Sequence, residues 1–222
     1  MESPNCKTLV VVGNGGSTLN CKNGRFIDNC DVVIRIKKFV LEGFEEFVGT
    51  KTDIWAMKWF CYDSILFKKI WLPFLDPNSE IVNPSIKLMN EFMFKNQFDN
   101  RAGELYEHNR LVDIVGRNKI ELLKEPELVK CLDDLKLTYQ LVYTKSGINV
   151  YHPTTYLLAI FLALERFPTH KIYVTGCDNF EQGYYWNLNE AKRLTKTWPH
   201  QYEKERLFLK KLVLTNKVTL IT

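Results

Sequence analysis

The sequence predicts an α/β fold, one domain with a mostly parallel sheet and helices on both faces. Three observations point there. The first 35 residues read as strand, glycine turn, helix, strand. Short β-rich runs then alternate with segments of helical period along the chain. The 222 residues are 45% hydrophobic and 13% aromatic, enough apolar surface for one sizeable core.

The first strand is Thr8–Val12, a β-branched run followed at once by Gly13-Asn14-Gly15-Gly16-Ser17, and the second is Asp31–Arg35. Thr52–Met57 and Leu111–Val115 carry weaker strand patterns. Lys171–Thr175 is a strong one that stops at Gly176, and Val218–Ile221 is expected as a last, edge strand. Helical spacing of apolar residues marks Ser85–Phe98, Lys119–Leu135, Thr154–Arg166 and Tyr202–Leu212. Thr154–Arg166 is apolar nearly all round, so it is expected between the sheet and another layer. Trp55–Phe74 mixes aromatics with lysines. A core-and-lid segment accounts for it better than a membrane-surface helix, since aromatics are most often simply buried.

Thirty Lys+Arg against 26 Asp+Glu leave a net charge of +4, too mild and too evenly mixed for a duplex-DNA binder. A nucleic-acid partner is not expected, whereas a basic pocket for an anionic small molecule stays open. The polar start Met1–Cys6 does not read as a signal peptide, and no run approaches the ~20 apolar residues of a transmembrane segment. The six cysteines form no C-x-x-C pair, so free thiols in a reducing, cytoplasmic compartment are expected. Neither an Asp-x-Asp element nor a His/Cys cluster with ligand spacing is present, which favours chemistry without a metal or other cofactor.

Small residues after a buried strand let a backbone approach a ligand closely, and helix-start N–H groups suit an anionic oxygen. Gly13, Gly15 and Gly16 fit that use. The dinucleotide fingerprint fails where Thr18 replaces its third glycine, and no Walker loop is present. Turn chemistry alone leaves phosphate binding and a tight structural turn both open. Glu45-Glu46 is not a carboxylate dyad, since neighbouring positions point apart, and Asp133-Asp134 reads as a solvated helix face. His152 and His170 read as structural.

Four segments in order resemble the sialylmotifs of the animal-type sialyltransferases, glycosyltransferase family 29. The large motif is similar to Val11–Gly16, Phe26–Asp28, Asp31–Arg35 and Gly43–Thr52, and the small motif to Pro153–Leu164 with the strand Ile172–Gly176. Motif III resembles Tyr184-Tyr185-Trp186-Asn187, and the very small motif resembles His200 with Glu205. A more distant likeness, to bacterial CMP-sialic acid-dependent sialyltransferases, rests on Gly13–Ser17 and Gly176-Cys177-Asp178. The sequence departs from the family at Lys37, which stands for an asparagine, at Tyr156 for a glycine and at Tyr184 for a histidine. The cysteine pair, stem and membrane anchor of secreted members have no counterpart in residues 1–222.

The resemblance implies a single Rossmann-like nucleotide-binding domain over 1–222, a GT-A-like variant. It implies an inverting, metal-independent transferase moving sialic acid from a CMP-sugar donor to the hydroxyl of a glycan acceptor. A phosphate leaving group needs charge stabilisation more than protonation. Backbone N–H groups at Gly15, Gly16, Ser17, Thr154 and Thr155 are expected to supply it, with the hydroxyls of Tyr184 or Tyr185. Asn14 would bond the nucleotide, Lys37 would add a positive charge, and Tyr156, Gly176 and Asp178 would line the donor site. His200 is the expected general base, working near neutrality. Glu205 would contact that base or charge the start of its helix, and Tyr185 and Trp186 would shape the acceptor wall. Three rivals remain: another CMP-sugar such as CMP-Kdo, a catalytically inactive nucleotide- or glycan-binding protein, and an NAD(P)-binding reductase using Arg35, Lys37 and Lys38.

Overall fold

Residues 6–37, 39–56, 69–72, 120–122, 125–135, 140–144, 147–151, 153–178, 182–190 and 202–221 are described by a computed structural model. In chain order the elements are β1 (Thr8–Val12), α1 (Gly24–Asn29), β2 (Val32–Ile36), α2 (Glu45–Val48), β3 (Ile54–Ala56), β4 (Lys69–Leu72) and β5 (Ile120–Leu122). There follow α3 (Glu125–Leu135), β6 (Gln140–Thr144), β7 (Gly147–Tyr151), α4 (Thr155–Arg166), β8 (Lys171–Thr175), α5 (Tyr202–Leu214) and β9 (Thr219–Leu220). Short 3-10 turns occupy Gly16–Asn20 and Leu188–Glu190.

Among the described residues, seven parallel strands form one sheet in the order β5-β4-β3-β2-β1-β8-β9. The chain steps outward from β1 to β5, then returns to the other side of β1 through β8. Leu9 is in register with Val32 of β2 and with Ile172 of β8, so β1 carries the reversal of strand order. Open parallel sheets bind ligands at the carboxyl ends beside such a reversal. β6 and β7 form a separate antiparallel hairpin.

Alternation along the strands sorts side chains onto two faces. Leu9, Val11, Ile34, Ile36, Ile54, Ala56, Ile172 and Val174 face α4 and α5, and Val10, Val12 and Val33 pack with Ile27 and Val48 of α1 and α2. The helix α4 is buried almost throughout, as its apolar circumference requires, and it lies across β1, β2, β3 and β8. Arg35 on the second face is 1% exposed. Its Nη2 donates to Val48 O at 2.7 Å, and its Nε donates to Lys51 O and Thr52 Oγ1, both at 3.0 Å. Burial lowers its pKa to about 10. Arg35 is thus a structural pin between β2 and the loop that follows α2.

The helix expected over Lys119–Leu135 divides, because Ile120–Leu122 pairs with β4 and α3 starts only at Glu125. Pro126 lies in the first turn of α3, the position where its missing N–H and fixed φ are tolerated, so a helix continuous from residue 119 is excluded. α5 runs one half-turn beyond the expected Leu212. Of the aromatic segment, Trp55 is buried in β3 and Lys69–Leu72 pairs in the sheet as β4, a strand the aromatic pattern did not announce. The expected helix Ser85–Phe98 and strand Leu111–Val115 lie outside the described residues.

β1 and β8 close on one another at their carboxyl ends. Gly13 N–H donates to Thr175 O at 2.8 Å, and Gly176 continues from β8 with φ +66°. A methyl group on Gly13 would stand 2.8 Å from both Thr175 O and Tyr156 Cε2 and would also overlap Gly176 O. Gly13→Ala is expected to lower stability by roughly 2 kcal/mol, read as a shift of the urea midpoint at unchanged slope.

Candidate active site

The strand ends and the start of α4 enclose one cleft. The end of β1 contributes Asn14 and Gly15, the end of β2 contributes Ile36 and Lys37, and the loop after β8 contributes Gly176, Cys177 and Asp178. Thr154, Thr155 and Tyr156 open α4 on its far wall, and Tyr184 closes one side. The enclosed volume is about 40 Å³. That suits one small polar group or a few waters.

Thr154 is the N-cap of α4, with extended backbone and its Oγ1 accepting from Leu157 N–H at 3.3 Å. Glu205 of α5 grips that cap. Its Oε1 accepts from Thr154 N–H at 3.0 Å and its Oε2 from the Thr154 hydroxyl at 2.6 Å, and Glu205 is 3% exposed. Thr155, 1% exposed, presents a hydroxyl that has no hydrogen-bond partner among the described residues. A buried polar atom of that kind is costly unless a ligand or water meets it. Helix polarity puts partial positive charge and unbonded N–H groups at the same place. Asn14 is 5% exposed and its Nδ2 donates to Ile36 O at 3.0 Å, tying the end of β1 to the end of β2. Tyr156 donates from Oη to Thr175 O at 3.3 Å, and burial pushes its pKa well up.

Several expected residues are placed differently. Gly15, Gly16 and Ser17 do not offer their amides to a ligand, because those N–H groups donate to Gly176 O, Gly183 O and Asp178 Oδ2 at 3.0, 2.9 and 2.9 Å. The glycine turn is a structural stitch whose smallness lets the Asp178 carboxylate pack against Gly15. Tyr185 is 2% exposed, and its hydroxyl donates to Val40 O at 2.5 Å and accepts from Val40 N–H at 3.0 Å, so it faces the core behind the cleft. Burial first, against the lowering effects of that backbone bond and of Arg35, raises its pKa to about 12. Glu205 does lie in the first turn of α5, but it is buried and its carboxylate accepts from Thr154 instead of facing solvent. Tyr184 lines the cleft with its ring stacked on Trp186 at 4.9 Å and 3°. Trp186 stands behind it, outside the cleft lining. His200 and His152 lie outside the described residues.

Sequence reading missed Ile36, Cys177 and Tyr202. Cys177 was within reach, as the residue just past the strand-ending Gly176, and burial raises its pKa. Tyr202 begins α5, and burial followed by the charges of Glu205 and Tyr184 raises its pKa to about 12.

A parallel sheet with a helix start set at its strand-order reversal defines a Rossmann-like α/β domain. The family model "Glycosyltransferase family 29 (sialyltransferase)" matches residues 1–217, and the chain belongs to that family. It is 29% identical over 233 residues to the type 2 lactosamine alpha-2,3-sialyltransferase of Homo sapiens, covering 98% of this chain and 65% of that protein. It is 26% identical to the alpha-N-acetylgalactosaminide alpha-2,6-sialyltransferase 1 of Mus musculus, covering 93% of this chain and 41% of the relative. A crystal structure of a mammalian sialyltransferase shares the fold, with a TM-score of 0.61 at 18% identity over 97% of this chain and 69% of the other.

Two outcomes follow from the geometry. Glu205→Ala is expected to lower stability by roughly 2–3 kcal/mol in equilibrium denaturation, because it leaves the buried Thr154 N–H unpaired. Tyr185 keeps its proton more tightly folded than unfolded, so its contribution is complete below pH ~10 and is lost as pH rises toward 12. Stability measured across that range is expected to fall less steeply in Tyr185→Phe.

Proposed function

We propose that this chain is an inverting, metal-independent sialyltransferase that moves sialic acid from CMP-sialic acid to a glycan hydroxyl. One observation carries the donor half of this reading: the buried, unpartnered Thr155 hydroxyl in the first turn of α4, at the bottom of a cleft that Lys37 also lines. A phosphate oxygen satisfies that hydroxyl and the helix end together. Family membership supports the sugar and the transfer. The chain spans 65% of the length of the first relatives, and the acceptor belongs to the proposal.

In the proposed reaction the acceptor oxygen attacks the anomeric carbon, and the bond to the phosphate oxygen breaks on the opposite side. CMP leaves with the electron pair. Thr155, the start of α4 and Lys37 stabilise the negative charge that grows on the phosphate as the bond stretches. Their positive potential does the work a divalent cation would otherwise do. Asn14 holds the cleft floor and meets the nucleotide. His200 takes the acceptor proton. Its nearness in sequence to Glu205, which bonds the cleft-lining Thr154, supports that role. Tyr184, with Trp186 behind it, belongs to the wall. A reducing, cytoplasmic setting belongs to the same proposal.

Purified protein is expected to transfer from CMP-sialic acid to a galactoside panel in the presence of EDTA. Thr155→Val, nearly isosteric, is expected to lower kcat/KM by about tenfold to a hundredfold without loss of fold. His200→Ala is expected to lose transfer and keep CMP binding. CMP binding with no turnover on any acceptor, or preference for CMP-Kdo, overturns the proposed reaction.

A further inference from the structure

Lys37 follows the last residue of β2 with φ +47°, in the left-handed region that a residue with a Cβ enters at a cost. Asn216 is the other such non-glycine residue among the described residues, at φ +56°, and it ends α5, where left-handed residues commonly close a helix. Lys37 closes no helix. Backbone held in this region away from a cap persists only where neighbours impose it, and such places concentrate at binding sites.

Two hydrogen bonds impose it here. Lys37 N–H donates to Ala56 O at 2.8 Å, which carries the β2–β3 pairing past the end of the strand. Trp55 Nε1–H donates to Lys37 O at 2.6 Å. Trp55 is 2% exposed, so its indole has little room to move. Phe39 meets it edge-on at 6.1 Å, and the guanidinium carbon of Arg35 lies 5.4 Å from the Phe39 ring centre. Arg35 is itself pinned by three hydrogen bonds. A fixed set of side chains therefore stands behind the turn, and the residue it twists is the one basic residue among the described cleft lining.

We propose that Trp55 is a positioning residue: by holding Lys37 O it keeps the left-handed turn that directs the Lys37 ammonium to the donor's phosphate, opposite Thr155. This rests on the reading of the cleft as a CMP-donor site. A phosphate monoester carries the charge that an ammonium selects, whereas the cytidine portion carries none. Lys37 then makes affinity depend on the phosphate, and Trp55 acts only through Lys37.

Calorimetric titration with CMP and with cytidine tests this, together with donor KM and kcat. Lys37→Met is expected to weaken CMP about tenfold and cytidine less than about twofold. Trp55→Phe, which removes the N–H and keeps an aromatic ring, is expected to weaken CMP by roughly threefold to tenfold. Donor KM rises in step while kcat changes little, and in the Lys37→Met background the tryptophan substitution adds nothing. An unchanged CMP affinity in Trp55→Phe, an equal loss for CMP and cytidine, or full additivity with Lys37→Met overturns the proposal. Should Trp55→Phe fail to fold, Lys37→Met decides: loss confined to CMP supports it, and equal loss or none overturns it. Wild-type protein that binds CMP without turnover refutes the transferase reading and leaves this test intact, while wild-type protein that binds no CMP overturns this proposal as well.

Discussion

The close approach of β1 and β8 beyond their paired residues is the constraint from which the site follows. Gly13 donates to Thr175 O and Gly15 to Gly176 O, so the two chains stay joined for a further step after regular pairing ends. Without side chains at 13 and 176 the backbones fit together, and Tyr156 packs over Gly13. β1 then borders β2 on one side and β8 on the other, and helix α4 must begin above the gap. A Cβ at Gly13 would push these elements apart at the point where the cleft forms.

A second constraint fixes the far wall. The carboxylate of Glu205 satisfies both the N–H and the hydroxyl of Thr154, so α5 and α4 meet at the cleft although 51 residues separate the two partners. Capping by a remote acid has a consequence for chemistry. Thr154 is committed inward, and Thr155, the next residue, is left with a buried hydroxyl that has no partner among the described residues. The charge of Glu205 also stands at the positive end of α4, where it is favourable to the fold and opposes part of the potential offered to an anion. Lys37 is the one basic residue among the described cleft lining.

Local chemistry made much of the fold legible in sequence. β1 and β8 declare themselves by β-branched runs that stop at glycine, and α4 by a threonine cap ahead of an apolar stretch. β4 was hidden because Lys69–Leu72 is short and mixes lysine with aromatics, so no period of two stands out. The β6–β7 hairpin was hidden because its strands, Gln140–Thr144 and Gly147–Tyr151, meet across a turn without the usual Asn-Gly or Asp-Gly signature. β5 was absorbed into a helical pattern until Pro126 is read as a start signal. At the site, residue types were legible and orientations were not. The family pattern brought Asn14, Lys37, Thr154, Thr155, Tyr156, Asp178 and Tyr184 to one cleft, but nothing in a single sequence says whether an amide faces a ligand or a neighbouring carbonyl. That choice depends on loops distant in the chain, as Gly16 with Gly183 and Ser17 with Asp178 make plain.

The glycine turn and the helix start both have the chemistry to meet an anion, and each already meets a carboxylate of this chain. Ser17 N–H already has a carboxylate oxygen of Asp178, and an incoming phosphate there would have to displace one anion and lie against its charge. At α4 the Glu205 carboxylate already takes the Thr154 N–H and hydroxyl, and Leu157 N–H meets Thr154 Oγ1, while the buried Thr155 hydroxyl has no partner among the described residues. Two like charges about 4 Å apart repel by roughly 4 kcal/mol at an effective dielectric of 20, which outweighs the one hydrogen bond the turn has to offer. What distinguishes the helix start is the Thr155 hydroxyl, and the glycines serve to bring Asp178 and β8 close enough to shape the opposite wall.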